Sequence, residues 1–153
     1  MSLNIFKLKF VIFLVMSFER SRSDLISSRN LYQFGNMISY KLDISILEAY
    51  NLFDGYGFWC GKGGNGQPVD EIDECCKVHD KCYDAAIDQF DCSPKVVTYT
   101  YNYDKPTDTL NCKQGQMTCE NYVCQCDKAA AFPKIFKNTR VVSKDFVQPK
   151  IKI

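Results

Sequence analysis

The run Asp73-Glu-Cys-Cys-Lys-Val-His-Asp-Lys-Cys-Tyr83 carries His79, the single histidine among 153 residues, with the carboxylate of Asp80 beside it. Imidazole is the side chain best suited to moving a proton near neutral pH. Just upstream lies Tyr56-Gly-Phe-Trp-Cys-Gly-Lys-Gly-Gly-Asn-Gly66, a loop dense in glycine. In such a loop, backbone carbonyls can turn toward one point, because glycine tolerates conformations that other residues resist. Calcium takes six to eight oxygen ligands at loosely fixed geometry. The carbonyls of Trp59, Gly61 and Gly63, with Asp80 as the charged ligand, are therefore a candidate calcium site next to a histidine base. Trp59 enters that set through its main-chain oxygen alone. Asp127, directly after Cys126, is the candidate partner for the second ring nitrogen of His79, fixing the tautomer that takes a proton from water. Taken alone, His79 reads more readily as a core histidine satisfied by a tyrosine, with Asp127 an unrelated acid.

The elements that must position these groups can be read from the same stretch. Val69, Ile72, Cys76, His79, Tyr83 and Ala86 recur at alternating steps of three and four, which predicts a long helix with His79 on its inward face. Pro68 opens this element, with Asp70, Glu71, Asp73 and Glu74 at its positive end. Leu31, Phe34, Met37 and Ile38 predict a short amphipathic first helix. Val96-Val-Thr-Tyr-Thr-Tyr-Asn-Tyr103, followed by Asp104-Lys-Pro106, predicts a strand and turn, half of a small hairpin. Thr118 is placed as the cap of a last helix running from about Cys119 to Ala131, ended by Pro133.

Composition bounds the setting. Residues 1–23 read as a secretory signal, with Lys7 and Lys9 ahead of the apolar run Phe10-Val-Ile-Phe-Leu-Val-Met-Ser-Phe18. That run is too short to span a bilayer, which takes about 20 apolar residues. Residues 24–29 read as a propeptide, released by a trypsin-like cut after Arg29, and residues 30–153 as one domain. Removing residues 1–29 takes away five of 19 basic and two of 18 acidic residues, leaving 14 and 16, a net charge of −2. This balance gives no footing for nucleic acid. The segment from Lys128 to Ile153 is basic and reads as solvated surface, and the residues after Lys137 read as an irregular tail. All nine cysteines lie between Cys60 and Cys126, which with a signal peptide indicates a disulfide framework in an oxidising, extracellular compartment. Cys124-Gln-Cys126 and Cys75-Cys76 lack the paired spacing of a zinc ribbon. An odd count leaves at least one thiol without an intramolecular partner.

The pattern Tyr56-Gly-x-x-Cys-Gly-x-Gly-Gly-x-Gly-x-Pro68, then Asp73-x-Cys-Cys-x-x-His-Asp-x-Cys-Tyr83, resembles the secreted phospholipases A2. The likeness extends from Asn30-Leu-Tyr-Gln-Phe34 to Cys124-x-Cys-Asp-Lys-Ala-Ala130, nearly the whole chain after Arg29, and is to the pancreatic and elapid-venom branch. It implies a mainly α, disulfide-rich fold: two long antiparallel helices cross-linked by disulfides, a short N-terminal helix, a calcium-binding loop and a small β-hairpin. It implies calcium-dependent hydrolysis of the sn-2 acyl ester of glycerophospholipids at a membrane or micelle surface. His79 would be the base and Asp127 its orienter, with Ca²⁺ held by Trp59, Gly61, Gly63 and Asp80. Tyr83 and Tyr99 match the tyrosines that support Asp127. Leu31, Phe34 and Ile38 match the wall of the acyl channel, although a plain core role explains their spacing equally well.

The family pattern also implies the bridges Cys60–Cys76, Cys82–Cys126, Cys92–Cys119 and Cys112–Cys124. It has fewer bridges here than is usual. Phe58 stands where a cysteine is common, Tyr40 and Tyr103 occupy the two ends of another bridge, and Pro133 stands opposite Cys75, leaving that thiol unpaired. Cys75 is then either a buried, unreactive thiol or one half of an intermolecular bond. A rival function is a non-catalytic relative acting as a membrane-active or receptor-binding ligand, and a poorer one is a growth-factor-like module. Non-catalytic relatives typically lose the calcium aspartate or the glycine loop, and Asp80, Gly61, Gly63, His79 and Asp127 all stand here.

Overall fold

The structure is a computed structural model and describes residues 30–133. The leader and propeptide, assigned to residues 1–23 and 24–29, and the basic tail after Lys137 lie outside the described residues. Helix α1 spans residues 30–42. Next come α2 (Ile46–Phe53), α3 (Glu71–Phe90), strands β1 (Tyr101–Asp104) and β2 (Thr109–Cys112), and α4 (Thr118–Ala131).

Helix α3 starts where an acid can close it. The Asp70 side chain accepts from Asp73 N at 2.9 Å, and Asp91, in the left-handed region, ends the helix. Pro68 and Val69 therefore precede the helix rather than open it, and Val69 is exposed. Two disulfides fix α4 against α3. Cys82 pairs with Cys126, and Cys92, just past the end of α3, pairs with Cys119, so the chain ascending through α3 meets positions descending along α4. The two helices are thus antiparallel. Cys60–Cys76 ties the glycine loop to α3, and Cys112–Cys124 ties β2 to α4. Each bridge typically contributes about 2–4 kcal/mol. Among the described residues Cys75 is the free cysteine. Between these elements lie the fully buried Met37, Ala86, Leu110 and Val123, with Phe34, Ile38, Tyr101 and Phe132 packed against them. Burying a side chain of Val or Met size is worth about 1.5–3 kcal/mol.

Three further differences follow. Only Tyr101 to Tyr103 of the expected strand is paired, and Asp104, expected in the turn, continues it, in antiparallel register with β2 from Tyr101↔Cys112 to Asp104↔Thr109. In the preceding stretch, Val97 and Tyr99 find partners on α1 instead. Asn30 Nδ2 donates to Val97 O at 2.7 Å, Gln33 Nε2 donates to Tyr99 O at 2.5 Å, and Tyr99 N donates to Gln33 Oε1 at 3.2 Å. Side chains thus supply the bonds that a neighbouring strand would have supplied. Secondly, Thr118 is the first residue of α4 rather than its cap; Met117 precedes it and no side chain caps the helix. Thirdly, α2 is an additional helix. Ser45 Oγ accepts from Glu48 N at 3.1 Å, and Ser45-Ile-Leu-Glu48 has the spacing of a capping box, the signal that marks this helix in the sequence.

At the far end of α1, Tyr40 and Tyr103 stack with ring centroids 4.9 Å apart and planes within 4°. Tyr103 Oη donates to Tyr40 O at 3.3 Å, and the ion pairs Lys41–Asp108 and Lys105–Asp43 flank the stack. An aromatic contact thus joins α1 to the hairpin at the two positions where the resemblance would have set a bridge.

Candidate active site

Since Asp127 follows Cys126, the Cys82–Cys126 bridge sets its carboxylate against α3 one turn from Cys82. There His79 Nε2 lies 2.7 Å from Asp127 Oδ1. Tyr83 Oη donates to the same oxygen at 2.7 Å, and Tyr99 Oη donates to Asp127 Oδ2. Asp127 has no exposure, and a buried carboxylate is tolerated only with such a set of donors. Burial, reinforced by the charge of Asp127 and the hydrogen bonds to it, drives the phenols of Tyr83 and Tyr99 far above their ordinary range, so both stay protonated donors. Asn30 Oδ1 also sits 2.9 Å from Tyr83 Oη, so the start of α1 is wired to this carboxylate.

The other face of the imidazole is covered by α1. Phe34 stacks on His79 with centroids 4.4 Å apart and planes 16° from parallel, and Tyr83 is tilted against the same ring at 4.3 Å. Of the three residues assigned to an apolar channel, Phe34 touches His79, Ile38 packs against the core, and Leu31 is exposed. With Nε2 directed at a carboxylate, Nε2 carries the proton and Nδ1 is the nitrogen able to accept one.

The glycine loop is held by an acid that sequence reasoning counted only as a first-turn charge. Asp73 is fully buried and accepts from Trp59 N at 2.8 Å, Phe58 N at 2.9 Å and Val69 N at 3.0 Å. It lies three residues before Cys76, on the side of α3 that the Cys60 bridge pulls toward the loop, and that spacing could have identified it. Gly61 has φ +117° and Gly63 φ +72°. A Cβ on Gly61 would come within 2.9 Å of Gly55 N and 3.0 Å of Asp54 Oδ1, so the loop closes on itself where only glycine fits. Asp80 is half-buried on α3. Burial holds its carboxyl above the usual range; Asp84 adds to this, while His79, Lys95 and Lys81 oppose it. Among the described residues no three His, Cys, Asp or Glu side chains gather as metal ligands. A loop of carbonyls with one carboxylate close by in sequence to His79 has the hard-oxygen chemistry that suits calcium.

A family model described as phospholipase A2 matches residues 31–143. The chain is 45% identical over 102 residues to basic phospholipase A2 nigroxin A of Micrurus nigrocinctus, covering 67% of this chain and 81% of that protein. It is 43% identical over 119 residues to basic phospholipase A2 1 of Naja melanoleuca, covering 76% of this chain and 96% of that one. An acidic phospholipase A2 of Micrurus dumerilii is 44% identical over 102 residues, with 67% and 82% covered.

Proposed function

The chain belongs to the phospholipase A2 family, and we propose that it is a secreted, calcium-dependent enzyme that cleaves the sn-2 acyl ester of glycerophospholipids at a lipid surface. The products are a fatty acid and a lysophospholipid. The observation that carries this reading is the 2.7 Å contact between His79 Nε2 and Asp127 Oδ1, one residue from Asp80. His79 Nδ1 takes a proton from water, and the water oxygen attacks the ester carbonyl carbon. The imidazolium so formed is offset by Asp127, whose charge is held in place by Tyr83 and Tyr99. As the acyl C–O bond breaks, His79 returns the proton to the departing glycerol oxygen. Phe34 covers one face of the base and keeps bulk water from it. Trp59, Gly61 and Gly63 carbonyls with Asp80 would hold Ca²⁺, which when bound polarises the ester carbonyl and, with the Gly61 amide, stabilises the oxyanion.

Fatty-acid release from vesicles labelled at the sn-2 chain, in calcium and then in excess chelator, tests the reading. Release that stops in chelator and returns with calcium is the expected result, and Asp80→Lys should abolish both metal binding and release. Undiminished release in chelator rules out the calcium assignment. Terminal sequencing of secreted material should find Asn30 first, because Asn30 is buried and bonded to Val97 O and Tyr83 Oη. A most active form that still carries Ser21 counts against that processing.

A further inference from the structure

We propose that the Trp59 side chain is a positioning element of the cation loop, the post around which residues 59–66 are wound. This rests on the calcium reading above and extends it from the main-chain oxygen of Trp59 to its indole. Gly61, Lys62, Gly63, Asn65 and Gly66 are exposed, yet Trp59 within the same loop is buried. Its ring is held at several points. Nε1 donates to Gly66 O at 3.1 Å, fixing the far end of the loop. Gly64 lies so close that a Cβ there would sit 2.5 Å from Trp59 Cε3 and 3.0 Å from Cδ2. Lys77 and Lys81, one turn apart on α3, each place an ammonium 5.8 Å from the ring centroid, within cation–π range. At the near end, Trp59 N is bonded to Asp73 and Cys60 is bridged to Cys76.

The consequence concerns the segment between those two ends. The carbonyls of Gly61 and Gly63 belong to five residues whose start is anchored on α3 and whose end and Gly64 contact both refer to one rigid indole. Carbonyl dipoles aimed at a common point repel one another, and flexible glycine loses much freedom when it is ordered. A loop already wound on a fixed ring meets most of that cost on folding, before the cation arrives. Groups that orient metal ligands without touching the metal commonly change affinity by about 10–100-fold when removed.

Trp59 is the single tryptophan of the chain, so its emission reports on this loop alone. Calcium titration of the whole protein, followed by calorimetry and by intrinsic fluorescence, should show the emission change saturating together with the heat. Trp59→Leu should keep its far-UV spectrum, weaken calcium binding by about tenfold or more, and regain turnover as calcium is raised to match. Trp59→Phe, which keeps a ring and loses the bond to Gly66, should fall between the two. Folded Trp59→Leu binding calcium within about twofold of the parent overturns the proposal. If Trp59→Leu loses its helical spectrum, Gly64→Ala decides instead: affinity weakened by about fivefold or more supports the proposal, and unchanged affinity overturns it. A parent protein that binds no calcium removes the calcium reading and this proposal with it, whereas a parent that binds and variants that bind equally remove this proposal alone.

Discussion

Phe34 and His79, on different helices, lie ring on ring at 4.4 Å and 16°. A histidine base needs a fixed plane, because its in-plane lone pair must meet the proton it accepts. One edge of His79 is fixed by Asp127, but a single hydrogen bond still lets the imidazole rock about its own axis. The flat face of Phe34 opposes that rocking.

Phe34→Leu keeps an apolar wall and removes the flat surface. Turnover should fall by about tenfold, since small misplacements of reacting groups can cost as much as 10²-fold. The carbon-bound ring protons of His79, the sole histidine, should also move downfield in the proton spectrum as the shielding ring is lost. Unchanged chemical shifts would show that the stack does not persist in solution.

His79→Gln removes the proposed base and leaves an uncharged side chain of related shape. Calcium binding and folding should be retained while turnover drops by about 10²–10⁴-fold, the usual contribution of general-base catalysis. A His79→Gln loss smaller than about tenfold contradicts the assigned role.

Much of this arrangement was legible because helical periodicity and chemistry coincide on α3. The steps of three and four that make His79 inward also set Cys76 and Tyr83 on its side, and the motif spacing located Asp127 beside a bridge cysteine. What was less legible depends on contacts distant in sequence. Residues 96–100 have the alternation of a strand, yet they lie outside the paired ladder: Asn30 and Gln33, more than sixty residues earlier, take the backbone groups of Val97 and Tyr99, and Thr100 N donates to the Gln116 side chain. Asp73 shares its type with its acidic neighbours and is set apart only by its spacing from Cys76; its role depends on the loop folding back to present three amides to it. The Tyr40–Tyr103 stack likewise needs the hairpin in place before either ring has a partner. Ser45 is the exception, since its capping-box spacing is local and could have marked α2 directly.

Tyr83 and Tyr99 give the alkaline side of the pH dependence. An unfolded phenol titrates near 10, and both are raised far above that in the folded protein, by burial first and by Asp127 second. Above about pH 10 the folded state therefore holds protons that the unfolded state has lost, and stability falls as pH rises. Their contribution is fully present below about pH 10. Phenolate absorbance should show that two of the nine tyrosines ionise only as the protein unfolds. Tyr99→Phe should reduce that late group to one. Smooth ionisation of all nine without loss of the helical spectrum would mean that the Asp127 network is open to solvent.

Cys75 provides the last prediction. It neighbours Cys76 on α3 but points about 100° away around the helix, so the Cys60–Cys76 bridge cannot serve it. The thiol is half-buried; burial pushes its pKa up, and Glu71, Glu74 and Asp70 push the same way. The thiolate is the reactive form, so both effects slow alkylation and disulfide exchange. Folded protein treated with iodoacetamide at neutral pH should thus label slowly, and rapidly once unfolded. Non-reducing electrophoresis should show a monomer, and mass mapping of the unreduced, alkylated chain should place the label on Cys75. Glu71→Gln and Glu74→Gln together should speed labelling, because they remove two of the charges that disfavour the thiolate. A covalent dimer through Cys75, or a bridge from Cys75 to another cysteine of the same chain, would overturn this assignment.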